Sequence, residues 1–207
     1  MISDKQLCKD WLFHIPTLKQ YKRGRKLLTK FECIVFGIEL RKIFDDTYRP
    51  EFIALNLLSS YCEFSLEREL RSKKMVQYEV PYLKHDKMLE EAVTLMREQA
   101  PSILINENRK TDDIIKLYQE EIKYTQTIGV SPLSAWFSLI QTANYYGLDK
   151  LKNKEREKMI EYAETLPSES LAIFGDFDKF VNDELDVDKD ELEVRRIKNL
   201  SKLKLSD

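Results

Sequence analysis

The chain has 207 residues, 43% hydrophobic and 34% charged, with a formal net charge of −2. That length allows one well-buried core or a compact domain with an appendage, and the apolar content excludes disorder throughout. Five glycines and two histidines leave little material for phosphate-cradling loops or for histidine acid–base catalysis.

Ser3 or Asp4 is suited to cap a first helix reaching Ile15, where Pro16 interrupts it. From Thr17 a second helical stretch is expected to reach Phe44, because Leu27, Phe31, Val35 and Ile38 recur at steps of three and four. FECIVF within it is short and apolar, so a strand between Leu27 and Leu40 is the alternative. Pro50 reads as the first residue of a third helix, Arg49 to Lys73, with Phe52, Ile53, Leu57, Tyr61 and Phe64 on one stripe. Residues 74–83, KMVQYEVPYL, alternate like an extended segment that Pro81 keeps at an edge.

A helix from Asp86 to Gln99 follows, ended by Pro101. Thr111 and Asp112 cap a helix that stops near Gly129. Residues 132–146 are apolar nearly all round, with Leu133, Trp136, Phe137, Leu139, Ile140 and Ala143, and read as the core helix. Gly147 ends it, and another helix runs from Asn153 to Leu166. Between Asp176 and Glu193 nine acids meet only Lys179 and Lys189. Arg195, Arg196, Lys198, Lys202 and Lys204 come after, so acid precedes base in the order that complements a helix dipole.

The expected fold class is therefore all-α: a single helical bundle-like domain of about seven or eight helices over 1–182, then a C-terminal amphipathic helix or appendage over 183–207. A minor β element near 28–36 and 74–83 stays open. The longest apolar cluster, 33–38, is far below the roughly 18 residues of a membrane span, and MISDKQLCKD has no signal-peptide core. The chain reads as cytoplasmic, with no membrane partner. Cys8, Cys33 and Cys62, odd in number and without a CxxC pair, read as buried free thiols.

Three constellations bear on function. The run KQYKRGRKLLTK carries Lys19, Lys22, Arg23, Arg25, Lys26 and Lys30 without an acid, a surface for an acidic protein partner or for phosphates. Charge is segregated, with net +5 over residues 1–50 and −4 over 166–207. Ile197, Leu200 and Leu203 give the terminal helix an apolar side able to dock into a partner's groove. Paired helical carboxylates, Asp112 with Asp113, Glu120 with Glu121 and Glu155 with Glu157, are the only material for a metal-dependent hydrolase.

Other motifs fail. Asp186, Asp188 and Asp190 open like a calcium loop, but Glu191 replaces its turn glycine and Ile197 its bidentate glutamate. Ala143 and Gly147 have helix-turn-helix spacing, but Asn153 and Arg156 stand where that motif needs apolar anchors. His14 reads as a packing residue and His85 as a capping or solvent-facing one. No catalytic, cofactor-binding or metal-ligating set is expected. The function expected is a non-enzymatic interaction module: an adaptor, an accessory subunit, or an inhibitor of the immunity or antitoxin kind. The alternative is a nucleic-acid-binding accessory factor using residues 19–30.

Overall fold

The computed structural model describes residues 2–22, 24–62 and 65–203. Its contacts divide into two units, Met1–Leu55 with Phe64–Arg109, and Asn56–Glu63 with Lys110–Asp207.

The first unit corrects the all-α, helical-bundle expectation. Helix α1 (Asp4–His14), capped by the Ser3 side chain, is followed by strands β1 (Lys19–Gln20), β2 (Lys26–Phe31), β3 (Ile34–Phe44), β4 (Thr47–Asn56), β5 (Leu66–Glu69) and β6 (Val80–Pro81), then by helix α2 (His85–Gln99). The strands form one antiparallel sheet in the order β1-β2-β3-β4-β5, with β6 also paired to β4. The helices expected over Thr17–Phe44 and Arg49–Lys73 are thus hairpins.

The reason lies in burial on both faces of the sheet. Leu27 pairs with Ile38 and Phe31 with Ile34, on one face, while Val35 faces the other way. Two interleaved rows of period two, both apolar, imitate the three- and four-residue steps of a helix. Pro50 falls between the two ladders that flank β4 on one side, because β6 pairs with Thr47 and Tyr48 while β5 pairs with Glu51 to Ala54. A residue without an N–H is tolerated where pairing lapses.

Two backbone positions hold the hairpins together. Glu32, in the two-residue turn between β2 and β3, has φ 55. Gly37 lies so close to β2 that an added Cβ would sit 1.9 Å from the Leu27 carbonyl oxygen. One sheet face carries Phe36, Ile38, Leu40, Tyr48 and Phe52, all buried. Trp11 of α1 and His85 of α2 both bond to Tyr48 there. Phe36 and Phe52 meet at 6.5 Å.

The second unit is helical: α3 (Thr111–Thr127), α4 (Leu133–Tyr145), α5 (Asp149–Glu164), α6 (Ser168–Leu171), α7 (Phe177–Leu185) and α8 (Lys189–Leu203). Helix α4 is its centre. Ten of its 13 residues are buried, and α3, α5, α7 and α8 all pack on it. Gly129 and Gly147, at φ 73 and 67, give α3 and α4 left-handed stops that a side chain would oppose.

A buried polar network ties the segment 56–63 into this unit. Asn56 Nδ2 donates to Gln141 Oε1 at 2.7 Å, and Gln141 Nε2 donates to Glu184 Oε2 at 3.0 Å. Arg195 Nη1 lies 3.1 Å from the same Glu184 oxygen, and Asn199 Nδ2 donates to the Leu57 and Ser59 carbonyls at 3.0 and 2.7 Å. Among the described residues no helix is long and apolar enough to cross a membrane.

Candidate functional site

The basic run 19–30 forms the β1–β2 hairpin, and β1 is an edge of the sheet. Its cations have different tasks. Lys19 and Lys22 are exposed, and Lys22 Nζ stands 4.7 Å from the Tyr21 ring centroid. Lys26 faces Glu39 directly across the strands, 3.4 Å away. Lys30 is exposed near the end of β2. Arg25 is internal mortar: it donates to Asp4 at 2.5 Å and to the Tyr82 hydroxyl, joining α1 to the segment that leads into α2. Arg23, like Lys204 near the C-terminus, lies outside the described residues.

The sheet face opposite Phe36 and Phe52 is charged at one end. Alternate residues put Glu39 and Arg41 of β3, Arg49 and Glu51 of β4, and Glu67 and Glu69 of β5 on it. Arg41 lies 2.9 Å from both Glu51 and Glu67, and Arg49 lies 2.9 Å from Glu69 and 2.7 Å from Glu79. Glu51 is only 1% exposed, and neither of its oxygens receives an aligned hydrogen bond. The Arg41 contact is a Coulombic pair. Burial pushes the Glu51 carboxyl up to about 7, against the pull of Arg41 and with a further push from Glu67. Sequence reading missed this cluster because its period of two lies inside segments that read as helical.

Below the other face runs a hydrogen-bonded chain. Trp11 Nε1 donates to the Tyr48 hydroxyl at 3.2 Å; that hydroxyl lies 3.0 Å from His85 Nδ1, and His85 Nε2 lies 3.2 Å from Asp10 Oδ2. Burial holds the Tyr48 hydroxyl protonated well above its ordinary range. Trp11, Tyr48 and His85 are at most 1% exposed and Asp10 is half-buried, so the chain joins α1, β4 and α2 and reaches solvent only through the Asp10 carboxylate. His85 is therefore interior, contrary to the solvent-facing or capping expectation. His14 is half-buried, its ring edge-on to Phe13 at 5.3 Å.

The expected docking residues of the terminal helix separate. Ile197 is 56% exposed, Leu200 is half-buried and Leu203 is buried. Several of the acids before them are engaged. Glu193 accepts from Arg196 and Tyr145, both at 2.7 Å, and the Arg196 guanidinium, with that hydroxyl, holds its carboxyl down at about 2. Asp176 and Asp188 accept from backbone amides at the starts of α7 and α8, and Asp186 pairs with Arg156.

At least one member of each pair of helical carboxylates has a structural partner. Asp113 accepts from the Lys110 amide at 2.7 Å, Glu120 lies 3.8 Å from Lys116, and Glu155 accepts from Trp136 Nε1 while pairing with Lys158 at 2.7 Å. Among the described residues no three His, Cys, Asp or Glu side chains are grouped as cation donors. Cys8 and Cys33 are buried and Cys62 is half-buried, all as free thiols. Burial raises the Cys8 thiol to about 11.

No family model, curated protein or solved structure matches this chain.

Proposed function

We propose that this chain is a non-enzymatic protein-interaction module: an adaptor, an accessory subunit, or an inhibitor of the immunity or antitoxin kind. Its partner presents an acidic surface to the β1–β2 hairpin. One observation carries the reading: Lys19 is exposed on the edge strand β1 and Lys22 in the turn that follows it, in a twelve-residue run with no acid. A lysine on an edge strand discourages indiscriminate strand pairing, and the pair of cations favours a partner of opposite charge. The side chains with chemical potential support it in another way, since Asp10, Tyr48 and His85 are engaged in joining secondary-structure elements.

The same basic run favours a second reading, an accessory factor that binds nucleic acid through phosphates. Tyr21 is half-buried beside the Lys22 ammonium, which leaves less of its ring for stacking on a base.

The test is capture of partners by the tagged full chain, with and without nuclease, beside the Lys19→Glu/Lys22→Glu variant. A nuclease-resistant partner with an acidic surface, lost by the variant, is the expected result. Loss of every partner after nuclease moves the reading to nucleic acid. A partner held equally by the charge-reversed chain removes the hairpin from consideration.

A further inference from the structure

We infer that α8 carries a self-association surface whose occupant is a second copy of this chain, seated on it antiparallel. This surface is separate from the basic hairpin.

Successive α-helical residues are offset by about 100°, so Leu192, Asn199 and Leu203, all buried, define one face of α8. The Asn199 amide, bonded to the Leu57 and Ser59 carbonyls, locks the roll of the helix about its axis. Opposite lies the row Asp190, Val194, Ile197 and Ser201. Val194 and Ile197 are 57% and 56% exposed, large β-branched side chains standing in solvent at adjacent turns of one row. Glu191, Lys198 and Lys202, all exposed, run along one flank of that row.

The charge order decides the occupant. Along the exposed side the acids Asp190 and Glu191 come first and the bases Lys198 and Lys202 come last. A two-fold axis midway between Val194 and Ile197 sets Val194 of one copy against Ile197 of the other, and the reverse. In an isologous antiparallel pair the same flank of each helix meets itself. Glu191 of each copy then meets Lys198 and Lys202 of the other, and Asp190 approaches Lys202. A parallel pair would oppose acid to acid and base to base. Glu191 also lies 3.2 Å from Arg195 in its own helix, yet its side chain is 51% exposed and remains open on the outward side. The surface is thus self-complementary in apolar position and in charge. Its area, set by one helix of about four turns, lies at the low end of specific interfaces, so the association is weak and concentration-dependent.

Sedimentation velocity of the full chain, from about 10 µM to about 1 mM, spans the dissociation constants that such an interface gives. The expected result is reversible dimerisation, weakened at least about ten-fold by Val194→Glu/Ile197→Glu and weakened by salt. Asp190→Lys/Glu191→Lys and Lys198→Glu/Lys202→Glu should each lose self-association, and an equimolar mixture of the two should regain it as a heterodimer, which misfolded variants would not do. A wild-type chain that stays monomeric throughout the range overturns the proposal. So does association indifferent to Val194→Glu/Ile197→Glu, or a mixture that fails to associate.

Discussion

Glu51 and Glu69 stand directly opposite each other on β4 and β5, with Arg49 Nη1 3.7 Å from the first carboxylate and 2.9 Å from the second. Like charges opposed across a ladder are destabilising, and the guanidinium between these two lowers the repulsion. Burial is what chiefly raises the Glu51 carboxyl, to about 7, and the Glu69 carboxylate adds to that push.

Stability should therefore fall with rising pH through that window. The folded chain retains a proton on Glu51 that the unfolded chain has released above its ordinary carboxyl value, so the Glu51 contribution is full at low pH and is lost as pH climbs towards 7. Glu51→Gln should be more stable than the parent at pH 8, by about 1–3 kcal/mol, with a flatter dependence of melting temperature between about pH 5 and 8. A variant less stable than the parent at pH 8 would show that the Arg41 pair outweighs burial.

Gly37→Ala should destabilise by about 1–3 kcal/mol or more, because its Cβ must displace the β2 backbone. Gly24→Ala is the matched control. Its Cβ would meet nothing nearer than the Tyr21 carbonyl oxygen at 3.6 Å, and the change should stay within about 0.5 kcal/mol. Urea denaturation of both variants measures the difference, and equal costs would contradict the close approach of β3 to β2.

Tyr48→Phe removes the acceptor of Trp11 Nε1 and the partner of His85 Nδ1 in a single step. Two buried polar groups lose their bonds while the ring volume is kept, at a cost of about 1–3 kcal/mol. Hydrogen exchange should speed up in α1 and at the start of α2, the elements joined by the chain. A neutral variant would mean that the hydroxyl bonds add nothing beyond packing.

Asn199→Ala should free the segment 57–62, whose Leu57 and Ser59 carbonyls it holds. Cys62 Sγ lies 3.7 Å from the Asn199 carbonyl oxygen and is the half-buried thiol of the three. It should react first with a thiol reagent in the parent and faster still in the variant, while Cys8 and Cys33 remain slow. An unchanged rate at Cys62 would place the restraint on this segment elsewhere, on the Asn56–Gln141 bond.

Legibility in the sequence divides at the helix signals. The segments 86–99 and 132–146 were readable because apolar spacing, proline and glycine act through local backbone geometry, and α2 and α4 lie within a residue of them. The sheet was readable only in part, as the alternative of a strand within 27–40 and as the extended segment 74–83 that holds β6, while β4 and β5 read as helix. Cys33 to Ile38 and Pro50 to Leu55 bury both faces, so the alternation that marks a half-exposed strand is absent there. With the strands hidden, Glu39, Arg41, Arg49, Glu51, Glu67 and Glu69 could not be seen as one surface.

By itself the sequence determined α3, α4, most of α5 and the segregation of charge, since each depends on composition or on neighbours within a few residues; α6 and α7 went unread, and Cys62, expected to be buried, is half-buried. Tertiary structure alone decided that Lys19 stands on an edge strand and Lys22 in the turn after it while Arg25 is engaged with Asp4 and Tyr82, and that His85 is interior. It alone turned Leu203 inward and left Val194 and Ile197 in solvent. In each case the deciding contact joins residues distant along the chain, such as Arg25 with Tyr82, Tyr48 with His85 and Asn199 with Leu57. Pairing at that separation depends on how strands and helices meet in space, and local spacing carries no record of it.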